Sequence, residues 1–342
     1  MSDIISFIRS QMAAVMAIDS PSGYTDEVQQ YICDQLTALG YSPRRLRKGG
    51  VLVTIGGEGN PITLSAHADT LGAVVHYIKG NGRLAISNMT LNNNNVETET
   101  VRVITRFNGV YEGTIQLCNA STHVNPDVNA TRELNKNMEI VLDTNVKSAA
   151  DVKALGIMNG DIIAVEPRFT ITENGYIKSR YLDDKASVAI LLGLAKWIKE
   201  ENIQLPRRLD LMFTVFEEIG HGAAVGIAPD CEELIAVDMG CVGDHLDCTE
   251  HQVSICAKDS GGPYNRQVIN DLILCARKAG VDYAVDIYPR YGSDATCALK
   301  AGFDLRTCVI GPGVYASHGY ERTHMDGVVN TLELLKAYLL KD

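Results

Sequence analysis

The chain has 342 residues, 46% hydrophobic and 21% charged, an ordinary globular composition that excludes disordered and fibrous classes. At about 150 residues per domain, that length predicts two domains or one large one, with enough core to stand without disulfides. Lys and Arg total 31 against 42 Asp and Glu, a formal charge of -11, and the short basic run Arg44, Arg45, Arg47 and Lys48 reads as a solvated loop. No nucleic-acid partner is expected.

In chain order, Thr25, Asp26 and Glu27 predict a helix start, with the hydroxyl as cap and the carboxylates favoured by the dipole. Val28, Ile32, Leu36 and Leu39 follow at helical spacing, and Gly40 ends the segment. Two apolar strands come next, VLVTIG after Gly50 and ITLSAHAD after Pro61. From Leu71 to Pro167 the character changes to Val, Thr, Asn and Gly with short alternating runs such as TVRVITRF and YEGTIQL. Asn92 to Asn95 read as a loop or hairpin tip, and a helix is expected only near Ser148 to Leu155. Residues 71–167 are therefore read as an inserted β-rich domain, and 1–70 with 168–342 as a discontinuous α/β domain.

After Tyr181 strands and helices alternate. Helices are predicted over about 184–200, 265–279 and 326–340, with a short one after Asp294; the strands are LDLMFTVF, ELIAVDMG, YAVDIYPR and LRTCVIG. Near-continuous apolar strands imply a sheet covered on both faces.

Nine cysteines, with no C-x-x-C pair, lie in apolar stretches such as those around Cys275 and Cys308. They read as buried thiols in a reducing compartment. The N-terminus carries Asp3 and helical periodicity rather than a secretory pattern, and the longest apolar run, Val188 to Ile198, is too short to span a bilayer. A cytoplasmic location with no membrane partner is the expectation.

Ligands of open α/β sheets bind beyond the carboxyl ends of the strands. Here those ends carry metal-ligand residue types: His67 and Asp69, Glu217 and Glu218, Asp238, and His318 beyond Pro312 and Gly313. Asp183 and Asp184 stand just before a helix. Each has an ordinary alternative as a cap, a turn or a solvated face. Their coincidence at one end of a sheet favours a carboxylate-rich metal site.

The ordered set AHAD (66–69), YLDDKAS (181–187), TVFEEIGHGA (214–223), AVDMG (236–240), GSDAT (292–296) and PGVYASHGYERTH (312–324) resembles the glutamyl and tetrahedral aminopeptidase family of dinuclear metallopeptidases. The resemblance spans nearly the whole chain. It implies an α/β fold, a mixed-sheet α/β/α catalytic domain of the phosphorylase/hydrolase-like type, with residues 71–167 as its inserted dimerisation domain. It further implies a cytoplasmic aminopeptidase acting on short peptides, and a homo-oligomer in which dimers build a dodecamer. Two divalent metal ions per subunit would be zinc, with cobalt or manganese as alternatives. Asp183 would bridge them, one ion also taking His67 and Asp238, the other Glu218 and His318. Glu217 would be the general base, and Asp69 would orient His67. A carboxylate bridge offsets repulsion between cations, and a free carboxylate takes a proton from activated water.

The chain departs from that pattern in two places. Thr70 stands where relatives often carry a carboxylate, and the last histidine lacks the usual Tyr-x-His-Ser-Pro setting. His318 lies closest to the strand end; His324 is the alternative ligand. His123 and His221 read as structural or peripheral, and Arg290, Tyr291 and Ser293, flanking GSDAT, as packing or capping residues, with a substrate-facing role as the alternative. Competing readings are a glycoside hydrolase using paired carboxylates, a non-peptide amide deacylase on the same scaffold, and a non-enzymatic metal-storage shell.

Overall fold

A computed structural model describes residues 2–341, and the chain divides into two compact units. One comprises the residues up to Thr70 and from Arg168 onward; the other is Leu71–Pro167.

The first unit is built on a 13-stranded mixed sheet. At its centre the strands Leu209–Thr214, Ile62–His67, Glu233–Val237 and Arg306–Tyr315 lie side by side and parallel. Several outer strands pair antiparallel, among them Val51–Gly56, Val253–Asp259 and Glu321–His324, whereas Gly240–Val242 and Tyr283–Ile287 add parallel pairs. Because Thr214 pairs with His67 and Ala236 with Ser65, the carboxyl ends of the first three strands come out nearly level, while Arg306–Tyr315 runs on past Ile310, the partner of Val237. That shared edge is where the fold can assemble a site.

The central strands are buried along their length, as continuous apolar runs require of a sheet covered on both faces. Leu234 and Ala236, two residues apart and so on one face, pack successively along the strand: Leu234 with Met212 and Ala298, Ala236 with Val309, Ala295 and Tyr288. Helix Leu182–Glu200 buries nearly its whole surface. Helix Ser2–Met16 crosses it at Gly193, where an added Cβ would overlap Ile8. The close crossing explains a glycine inside a helix, where it costs about 1 kcal/mol relative to alanine.

Helix Asp26–Ala38 begins where expected, but the Thr25 hydroxyl makes no cap hydrogen bond; only its carbonyl accepts, from the Gln29 amide. The strands Tyr176–Ser179 and Glu321–His324 escape the sequence reading because neither shows an apolar run, yet they pair in register from Tyr176 with His324 to Ser179 with Glu321. All nine cysteines are free, six of them buried.

The second unit is a six-stranded closed barrel in the order Ala73–Ile78, Leu84–Asn88, Met138–Leu142, Val110–Leu117, Thr100–Ile104 and Ile162–Val165. All its pairings are antiparallel, and closure removes the free edges that would otherwise template aggregation. Val75, Ile86, Val101, Val103, Ile115, Ile140 and Ile163 fill it. The asparagine tract forms a single 3-10 turn, Asn93–Asn95, and Ser148 caps helix Ala149–Ala154 by accepting from the Asp151 amide.

The level edge of the sheet depends on one close approach. A Cβ on Gly311 would overlap the carbonyl of Asp238, whose amide donates to Ile310 O at 2.9 Å. Gly311→Ala should therefore cost about 3 kcal/mol or more, read as a lowered urea midpoint at unchanged m-value.

Candidate metal centre

The backbone at the carboxyl edge is bent at several of the places where it delivers a polar side chain. Tyr181, Phe216, Ala316 and His318 all have positive φ, between 59° and 69°, a region that costs residues other than glycine about 1 kcal/mol or more. Tyr181 precedes Asp183, Phe216 precedes Glu217 and Glu218, and Ala316 and His318 shape the turn between strands Arg306–Tyr315 and Glu321–His324. Helix Leu182–Glu200 opens with non-helical dihedrals at Asp183 and Asp184, so these two carboxylates do not act as a simple cap.

These turns bring distant residues together. His67 Nε2 lies 3.0 Å from Asp183 Oδ1 and 3.7 Å from Glu217 Oε2. His318 Nε2 lies 3.6 Å from both Asp183 Oδ2 and Glu218 Oε2. Two donor groups result, His67 with Asp183 and Asp238, and Asp183 with Glu218 and His318, each with donor atoms within 4.8 Å of one another. They share Asp183, which turns one oxygen toward each histidine.

Neighbouring groups fix these side chains. His67 Nδ1 is 2.9 Å from the main-chain carbonyl of Asp69, which can only accept, so Nδ1 carries the proton and Nε2 is left facing Asp183. The Asp69 carboxylate lies 3.8 Å from that ring; it accepts instead from the Ser22 hydroxyl at 2.5 Å and from the Glu217 amide at 3.1 Å. Asp69 thus touches both His67 and Glu217, the first through its carbonyl.

Three further neighbours were given no role by the sequence. Buried Glu321 accepts from the amides of Asp183 at 3.0 Å and His318 at 2.9 Å. Asp184 accepts from the His67 amide at 3.1 Å. Asp294 accepts from the Thr214 hydroxyl and the Ala223 amide, holding the loop behind Glu217. All three sit in segments already singled out, 312–324, 181–187 and 292–296, but nothing local in those segments marks these roles. Tyr291 donates to Met239 O, and Ser293 caps the helix that begins at Asp294. His324 lies outside both donor groups, its Nε2 on the Asn174 carbonyl at 2.7 Å. His123 and His221 are exposed.

Electrostatics makes a demand of this edge. Burial, followed by the charge of neighbouring carboxylates, pushes Glu217, Glu218 and Asp184 well above the usual carboxylate range. The same causes push Asp238 up to about 7 and Glu321 up to about 8. Asp183 alone is held low, because hydrogen bonds from His318 and His67 outweigh its burial. Among the described residues Glu218 Oε1 and Asp184 Oδ1 are buried with no hydrogen-bond partner. A packed set of acids with spare lone pairs and imidazole nitrogens fits divalent cations that accept nitrogen and oxygen together.

Comparison with known proteins points the same way. The family model for M42 glutamyl aminopeptidase matches residues 49–334. YhfE of Bacillus subtilis, named as a candidate aminopeptidase, is 43% identical over 328 residues, 95% of each chain. Among solved structures, aminopeptidase APDkam598 of Desulfurococcus kamchatkensis superposes with a TM-score of 0.87 at 20% identity, covering 98% of this chain and 95% of its own. The TET1 peptidase of Pyrococcus horikoshii superposes with a TM-score of 0.86 at 19% identity, covering 98% and 100%. The family model and the B. subtilis relative each span most of the chain, and the chain belongs to the M42 glutamyl aminopeptidase family of peptidase hydrolases.

Proposed function

We propose that this aminopeptidase removes N-terminal residues from short peptides with two divalent ions held at the sheet edge. One ion would sit among His67, Asp183 and Asp238, the other among Asp183, Glu218 and His318. The observation that carries this reading is the pair of donor groups sharing one carboxylate, with Glu217 beside them yet belonging to neither. When bound, the two ions would polarise the scissile carbonyl and acidify a water. Zinc is the expected ion, with cobalt and manganese suited to the same donors.

The chain's own residues do the rest. Glu217, its amide fixed by Asp69, would take the proton of the attacking water and hand it to the leaving amine. The carbonyl of Asp69 keeps His67 in the tautomer whose Nε2 is free to ligate. Glu321 holds the backbone of Asp183 and His318 in place.

The barrel of residues 71–167 would serve dimerisation. It exposes Phe107 at 83%, with Val110 and Tyr77 also exposed, an apolar display that favours a partner surface. The P. horikoshii TET1 peptidase is described as assembling into a tetrahedron or an octahedral shell; dimers building a dodecamer are the proposed assembly here. Free thiols accord with a cytoplasmic location, and no helix among the described residues is long and apolar enough to cross a membrane.

Purified protein should release amino acids from aminoacyl-p-nitroanilides, lose that activity to chelator and regain it with zinc, cobalt or manganese. Chelator-resistant hydrolysis of sugars would support the glycosidase alternative instead. Glu217→Gln should lower kcat by about 10²–10⁴-fold while KM and bound metal change little.

Acidity should matter in a defined direction. With Asp238 at about 7 and Glu218 raised, protons compete with metal, so bound metal measured after equilibrium dialysis should fall as pH drops below about 7. In the chelated protein, raised carboxyl pKa values mean the folded state binds protons more tightly than the unfolded one. Stability is then present at low pH and lost as pH rises through about 7 to 8, the values of Asp238 and Glu321. The melting temperature of chelated protein should be higher near about pH 6 than near about pH 8, and zinc at the higher pH should restore it.

A further inference from the structure

Away from the central site, a second mixed donor group comes together: His251, His324 and Asp326, with donor atoms all within 4.8 Å of one another. His251 stands just before strand Val253–Asp259, His324 ends strand Glu321–His324, and Asp326 lies in the first turn of helix Met325–Leu339. Asp326 Oδ2 is 2.9 Å from His251 Nδ1 and 3.1 Å from His324 Nδ1. Bonds of about 2.0–2.1 Å to one ion set adjacent donors at roughly 3.0–3.4 Å, so these separations match shared coordination closely.

The opposite side of each ring is engaged. His324 Nε2 is 2.7 Å from the Asn174 carbonyl, which can only accept, so Nε2 carries the proton and Nδ1 presents a lone pair. That lone pair takes the Asp326 amide at 3.0 Å but also confronts the Asp326 carboxylate. Lone pair against carboxylate is repulsive. A cation accepting from both relieves it. His251 Nε2 lies 3.5 Å from the Tyr176 hydroxyl, and the two imidazole centroids are 4.1 Å apart. Gly175 closes the clamp: at φ +81° it faces the ring, and a Cβ there would stand 2.7 Å from His324 Nε2. Histidines whose far nitrogen is fixed by a carbonyl or hydroxyl are oriented as metal ligands require.

We propose that His251, His324 and Asp326 form a separate binding site for a borderline divalent cation such as zinc, held by the two Nδ1 atoms and one carboxylate oxygen. On binding, the His251 Nδ1 proton gives way to the ion and is taken up at Nε2 or by solvent. His324 exchanges the Asp326 amide for the ion. The Asp326 side chain is 60% exposed, which leaves the outer coordination positions to water. The ion would fasten the segment that begins at Glu321, the residue supporting Asp183 and His318, to the loop at His251. This site stands independently of how the central one is read.

The test is equilibrium dialysis of the full-length protein, His251→Ala and Asp326→Asn against micromolar zinc, followed by metal analysis per chain. The proposal expects both variants to hold one zinc fewer than the wild type, and zinc to raise the melting temperature of the wild type more than that of either variant. Equal zinc in all three proteins, with equal thermal protection, overturns it and leaves His324 as a helix cap that accepts the Asp326 amide. Every sample keeps the central residues intact, so the difference between samples does not depend on the number of ions bound there.

Discussion

Too many acids are buried at one edge of one sheet. Asp183, Asp184, Asp238 and Glu321 are all buried at the carboxyl edge, with Glu217 and Glu218 mostly withdrawn from water beside them. Isolated buried carboxylates cost several kcal/mol each, and neighbours of like charge make matters worse. Two histidines offset part of that. Divalent cations at the two donor groups would offset the rest, and the strained turns at Tyr181, Phe216, Ala316 and His318 would then be backbone bent to present donors to them.

The fold meets this demand through register. Three central parallel strands end nearly level, so residues at or just beyond the ends of Ile62–His67, Leu209–Thr214 and Glu233–Val237 fall near one another although Asp69 and Glu217 stand 148 positions apart in the chain. Gly311 lets the strand Arg306–Tyr315 approach the Asp238 carbonyl. Asp69 then links the first two strand ends, its carbonyl on His67 and its carboxylate on the Glu217 amide.

How much of this was legible follows from what sequence patterns encode. Apolar strands ending in His67, Glu218 and Asp238 are visible because burial on both faces writes a continuous hydrophobic run with an abrupt polar end. The change to short alternating strands after Leu71 is visible for the same reason. The roles of Glu321 and Asp184 were not legible, although both lie in segments that stood out: each acts by accepting from a backbone amide that tertiary folding brings to it, and no spacing rule records that. Strands Tyr176–Ser179 and Glu321–His324 are ordered by pairing with each other rather than by their own composition. Thr25 shows the converse failure, a good capping residue whose hydroxyl is not used. His324, weighed as an alternative ligand at the centre, lies apart from both central donor groups, beside His251 and Asp326.

Anomalous diffraction from crystals grown with zinc addresses the central claim most directly. The account predicts two peaks about 3.5–4 Å apart, on either side of the Asp183 carboxylate, with Glu217 contacting neither. A single peak, or ions lying away from Asp183, would contradict it.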